Sequence, residues 1–152
     1  MPVNFDPRTL NTHAFQALSH LRKTYENGKT EEEAKKGLKY QKSQAQELYT
    51  YVSTWGLMRL KAEEQAMAHE KKLDKKQKFE VIKQFFKKLE AIAGEAHRDK
   101  LTAHNTIEYL CSQYVDANEY LGLTGLAIEL ANEFAFWANA IYPDISGHID
   151  EN

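Results

Sequence analysis

Apolar residues along this chain recur at steps of three and four rather than two, the signature of helices that bury one face. Ala14, Leu18, Leu21 and Tyr25 follow that rhythm and predict a first helix over about residues 12–27, stopped by Asn27-Gly28. Thr30 with Glu33 makes a capping box for a long second helix, whose stripe is Ala34, Leu38, Ala45, Leu48 and Val52. Gly56 marks a kink or a boundary, and about residues 57–72 are expected to be helical again. Asp74, with Gln77 three residues on, is expected to cap a fourth helix. It would carry Phe79, Ile82, Phe86, Leu89 and Ala93 on one face and lysines on the other, and Gly94 would end it. Residues 95–104 read as a loop or a frayed helix. Asn105 with Glu108 then caps a short helix, and Asp116 with Glu119 a long one that runs to about residue 142, before Pro143. The apolar face of this last helix is wide enough for a central position, and Phe134 and Trp137 are expected to bury themselves against the second helix.

The pattern predicts an all-α fold, a compact bundle of five to six helices in one domain covering residues 1–152. Residues 1–11 read as an extended, Pro-marked leader and residues 144–152 as a flexible tail. Composition agrees: 42% hydrophobic residues are too many for a disordered chain, and seven Gly with three Pro are too few to punctuate strands. The lone Cys111 has no internal disulfide partner, which fits a reducing compartment, and on the apolar side of its helix it is expected to be buried and inert. The first residues lack the pattern of a secretory signal, and no stretch approaches the roughly 18 apolar residues of a membrane helix. The expectation is a cytoplasmic protein with no membrane partner.

Charge adds an asymmetry that the net value of −2 conceals. All 20 Lys and Arg residues precede residue 101, together with 14 of the 22 acids, so residues 1–100 carry +6 and the remainder −8. Such polarity suits a head-to-tail contact between copies. The positive charge concentrates in Lys71, Lys72, Lys75, Lys76, Lys78, Lys83, Lys87 and Lys88, opposed over the same stretch only by Asp74 and Glu80. Helical spacing places most of these ammonium groups opposite the Phe79/Ile82/Phe86 stripe, where they could track a phosphate backbone. A solvated face that keeps the protein soluble is the alternative.

Catalytic chemistry finds little to work with. No nucleophile elbow, phosphate loop or zinc-protease motif is present. His97 and His104 are seven apart, with Glu95 and Asp99 nearby, and would share a face on a continuous helix. Metal ligands on helices more often sit three or four apart, so no metal or cofactor is expected. Tyr49, Tyr51, Trp55, Tyr114, Tyr120, Phe134, Phe136 and Trp137 could stack on bases, but at helical spacing they read as core.

Two blocks resemble the small helical subunit of Cmr-type (type III-B) CRISPR effector complexes. One is YVSTWGLMRLKAEE (residues 51–64), where a helix leads through Thr54-Trp55-Gly56-Leu57 into another helix. The other is EYLGLTGLAIELANEFAFWANAIY (residues 119–142), in which Tyr120, Leu121, Leu123, Thr124, Ala127, Leu130 and Ala138 fall on the family's places. Two positions depart from it. Trp55 stands where the family has Asn, and Glu133 and Phe136 stand where it has a Trp followed by basic residues, with Trp137 one residue later. The resemblance implies a non-catalytic subunit that stacks along the filament beside the other subunits, lining the groove that holds guide and target RNA. A helical protein-interaction adaptor with no nucleic-acid role is the alternative, and a metal-dependent helical enzyme resting on His97 and His104 the third reading.

Overall fold

The computed structural model describes residue 6 and residues 8–146. Six α-helices and one 3-10 turn make up the described chain, with no strand among the described residues: α1 (Arg8–Glu26), α2 (Glu31–Trp55), α3 (Leu57–Met67), α4 (Leu73–Ala93), the 3-10 turn (Glu95–His97), α5 (Thr106–Leu110) and α6 (Ala117–Ile141). This is an all-α bundle. Its axis is the pair α2–α6, antiparallel because Lys42 of α2 meets the end of α6 while the α2–α3 junction meets its start. α1 and α4 cover this pair, and α3 closes against α4.

α2 and α6 begin where a side chain satisfies one of their first free N–H groups. Thr30 Oγ1 accepts from the Glu33 N–H at 3.2 Å, and Asp116 Oδ1 accepts from the Glu119 N–H at 2.8 Å. Gly56 ends α2 and opens α3 with φ +88°, a left-handed value that glycine adopts without steric penalty, so one residue turns one helix into the next. Gly94 does the same after α4 with φ +101°.

Several boundaries differ from those the sequence predicts. α1 starts at Arg8, so residues 8–11 belong to a helix and not to an extended leader, and Leu10 is buried. Residues 1–5 and 7 of that leader lie outside the described residues. α3 stops at Met67, and Lys72 rather than Asp74 occupies the position before α4. Asp74 lies in the first turn, where its charge still favours the helix dipole. Asn105 precedes α5 without capping it through its side chain. At the other end, residues 144 and 145 are no tail: Asp144 is ion-paired and Ile145 is buried, while residues 147–152 lie outside the described residues.

The core is built from Leu18, Leu38, Leu48, Leu57, Leu60, Ile82, Phe85, Phe86, Leu89, Leu101, Phe134 and Tyr142, all essentially without solvent contact. Phe134 packs edge-on to Phe85 of α4 at 5.5 Å between centroids. Trp137 departs from its expected place. It is half-buried against α1, with its Nε1 donating to Asn11 Oδ1 at 3.0 Å and its ring edge-on to Phe15 at 5.5 Å.

Through this core runs a polar thread. Gln41, Lys42, Ser43 and Gln44 are all buried, because α2 is enclosed on every side at that level. Tyr142 Oη donates to Gln41 Oε1 at 2.6 Å, and Gln41 Nε2 donates to Gln77 Oε1 at 2.8 Å. Burial raises the Tyr142 phenol above its ordinary range. Lys42 Nζ donates to the carbonyls of Tyr142 and Ile145 at 2.9 and 2.6 Å. α6 has no basic residue in its last turn, so these carbonyls take their cation from another helix. Arg22 of α1 completes the brace with a bidentate pair to Asp144 at 2.7 and 2.8 Å, and it also donates to the Ile141 carbonyl.

Candidate nucleic-acid interface

The eight lysines of the basic stretch do not form one surface. Lys71 and Lys72 are exposed in the turn before α4. Lys76, Lys83 and Lys87, at steps of seven and four, share the outward stripe of α4 and are exposed. Lys75, Lys78 and Lys88 are half-buried on its flanks. Lys88 is turned toward α1, where burial and its charge together lower the His13 imidazole, and burial lowers the Lys88 ammonium in turn. The expectation that most of the eight ammonium groups share one face thus contracts to Lys76, Lys83 and Lys87, with Lys71 and Lys72 beyond their N-terminal end. Among the described residues, none of the eight is in an ion pair. Charge left without an internal partner is what a phosphate backbone can use.

Beside this stripe lies a groove of about 500 Å³ between α3, α4 and the turn that follows the 3-10 helix. Its floor is self-neutralised. Lys61 Nζ, buried, pairs with Glu64 at 2.6 Å, donates to the Leu101 carbonyl at 2.9 Å and stands 4.4 Å above the Phe86 ring. Glu90 accepts from the Leu101 N–H at 2.9 Å and from the Thr102 hydroxyl at 3.1 Å, pinning the turn to α4. Gln65 Nε2 holds the His104 carbonyl at 3.0 Å. Lys83 and Lys87 line the rim.

The two histidines do not share a face. His97 is buried, its Nε2 3.2 Å from Glu119 and its Nδ1 2.8 Å from the Tyr109 hydroxyl, whereas His104 is exposed at the groove. Among the described residues no three His, Cys, Asp or Glu side chains come together as a metal would need. Cys111 is exposed at the end of α5, contrary to the buried thiol expected, because that helix stops at Leu110. The aromatic set also divides. Phe134 is core, Tyr51, Tyr120 and Trp137 are half-buried, and Tyr49, Trp55, Tyr114 and Phe136 are exposed. Arg59 covers part of Trp55, its guanidinium 4.8 Å from the ring centroid.

Part of the charge polarity is consumed inside the chain. The Arg22–Asp144 pair neutralises one charge of each half, while Lys42 on the carbonyls at the end of α6 and His97 beside Glu119 join the halves by hydrogen bonding and proximity. Residues 51–64 and 119–142 touch, since Tyr120 Oη accepts the Met58 N–H at 3.2 Å just after the Gly56 break. Leu123, Ala127, Leu130 and Ala138 of the second block all lie on the buried face of α6, so core packing alone accounts for these matches. Among the described residues no helix is long and apolar enough to cross a membrane. No protein-family model, curated protein or solved structure matches the chain.

Proposed function

We propose that this protein is a non-catalytic, RNA-contacting subunit of a larger assembly, of the small-subunit type found in type III CRISPR effectors. Its contact to guide or target RNA runs along the outward stripe of α4. The observation that carries the reading is the set of exposed ammonium groups Lys76, Lys83 and Lys87, in no ion pair among the described residues, continued by Lys71 and Lys72. Ammonium groups on a helix face bind phosphates by charge and position, and they carry no information about base identity. The resemblance of residues 51–64 and 119–142 supplies the type of assembly, and a cytoplasmic setting follows from it.

The test is filter binding of single-stranded RNA at two salt concentrations, together with incorporation into a reconstituted effector complex. The combined Lys76→Ala, Lys83→Ala and Lys87→Ala variant is expected to stay folded and to lose affinity equally for unrelated sequences. Three lost phosphate contacts flatten the log-affinity against log-salt slope by about 2, at roughly 0.7 for each contact on a single strand. Unchanged affinity at both salts would overturn the reading.

One observation favours a protein-interaction adaptor instead. The outer face of α6 exposes Leu121 to 67% and Phe136 to 62%, with Gly125 and Asn132 between them and few charges. An exposed apolar face of this kind is suited to a protein partner. If the lysine variant binds RNA as the wild type does, and Phe136→Asp abolishes incorporation into a complex, the adaptor reading replaces the first.

A further inference from the structure

The groove beside the lysine stripe has walls unlike the rest of that surface. Phe79 is half-buried and lines the groove, and Ala68 and Ala103 add small apolar side chains to its wall. Lys83 and Lys87, one helical turn apart on the rim, have no carboxylate within ion-pairing distance among the described residues, and Lys83 Nζ stands 5.9 Å from the Phe79 ring centroid. Flat aromatic surface and unneutralised ammonium groups therefore meet at one place.

We infer that this groove receives one unstacked nucleotide of the bound RNA strand, with its base against Phe79 and its phosphate between Lys83 and Lys87. The inference rests on the RNA-contacting reading above and deepens it by adding a base site to a backbone track. Base–aromatic stacking with a nearby cation is how single strands are held without sequence preference. The volume of about 500 Å³ lies within the range of small-ligand pockets. Two further groups set the orientation. The Gln65 carboxamide is fixed through its Nε2 on the His104 carbonyl, which leaves Oε1 open to the edge of a base. Glu90, held by Leu101 and Thr102, makes its end of the groove negative, so the phosphate lies on the Lys83 side. A fatty acyl chain would find the polar edge of Gln65 unused, and an inorganic anion would find the Phe79 wall unused.

The experiment uses the full chain with two probes, adenosine 5′-monophosphate followed by NMR and a short single-stranded RNA followed by filter binding. The monophosphate is expected to shift the backbone resonances of residues 65–68, 79–87 and 101–104, with adenosine itself at least tenfold weaker. Phe79→Leu keeps apolar bulk under the groove but removes the flat ring, and it is expected to weaken the RNA about tenfold at unchanged melting temperature. Its salt slope stays as in the wild type, because no phosphate contact is lost. Wild-type RNA affinity in Phe79→Leu would overturn the base site while leaving the lysine track standing. Monophosphate binding without RNA binding would overturn the RNA reading and make the groove a small-molecule site. Absence of both would overturn the two proposals together.

Discussion

Gly37 sits in the first half of α2 with the Tyr25 side chain of α1 against its backbone, so closely that a methyl group added there would overlap Cζ and Oη of that side chain. Replacement by Ala therefore sets two effects against each other. Within a helix, Ala is favoured over Gly by about 0.8–1 kcal/mol. Against this, the ring must leave its place, and overpacking of this kind costs about 1–3 kcal/mol. The ring is partly buried against the core, so displacing it loses packing as well as the Lys29 ammonium 4.3 Å from its centroid. The steric effect wins, and Gly37→Ala is expected to destabilise the protein by about 1 kcal/mol, lowering Tm by about 2–4 °C for a chain of this size. In a Tyr25→Ala background the obstacle is gone, and the same substitution should stabilise by up to about 1 kcal/mol. Gly122 and Gly125 of α6 provide the control. Nothing lies near the position of an added methyl at either, so Ala at each should stabilise by about 0.5–1 kcal/mol. Urea unfolding of the five variants measures all of this. A Gly37→Ala effect of the same sign and size with and without Tyr25 would refute the reasoning.

Asp144 is held at about 2 by the Arg22 guanidinium, below the ordinary carboxylate value of about 3.9. A lowered folded pKa gives stability that is complete above about pH 4 and is lost as pH falls through 2. Because Asp144 is 44% exposed, solvent screening limits the pair to about 1 kcal/mol or less. Urea midpoints of wild type and Asp144→Asn should differ at pH 7 and converge near pH 2, and a gap that persists in acid would rule out the carboxylate as its source. Phe134→Ala should cost about 3–5 kcal/mol, as expected for a fully buried aromatic residue. Trp137→Ala, from a half-buried site, should cost only about 1–2 kcal/mol. Equal losses in thermal unfolding would contradict these placements.

The elements that sequence reasoning recovers best are those whose cause is local. Thr30 and Asp116 cap helices through atoms three residues away, and Gly56 and Gly94 break them through their own φ. The polar thread was out of reach for the opposite reason. Nothing in the run Gln41-Lys42-Ser43-Gln44 says that Gln77 and Tyr142 will close over it, since these partners lie 36 and 101 residues away. One signal was available. With no Lys or Arg after Lys100, any ammonium or guanidinium on the carbonyls at the end of α6 had to come from earlier in the chain. The candidate interface was legible as a charge run but not as a surface, because spacing alone does not say which flank of α4 its neighbours occupy. Lys75, Lys78 and Lys88 are the residues this cost. Trp137 was misplaced for a related reason: the face of α6 is wide enough to meet α1 as well as α2.

The bracing of α6 by Lys42 has a consequence for the order in which the chain becomes a protein. The two carbonyls that receive this ammonium are 100 and 103 residues downstream. At a synthesis rate of about 5–20 residues per second, some 5–20 s separate Lys42 from its acceptors on the ribosome. During that interval α1 to α4 can form as individual helices, while the Lys42 ammonium has neither of its carbonyl acceptors. The side of α2 that α6 will cover is expected to stay hydrated until α6 arrives. The helix that completes the central pair with α2 thus also brings the carbonyls that let Lys42 leave water, so docking of α6 and desolvation of this ammonium are expected to coincide.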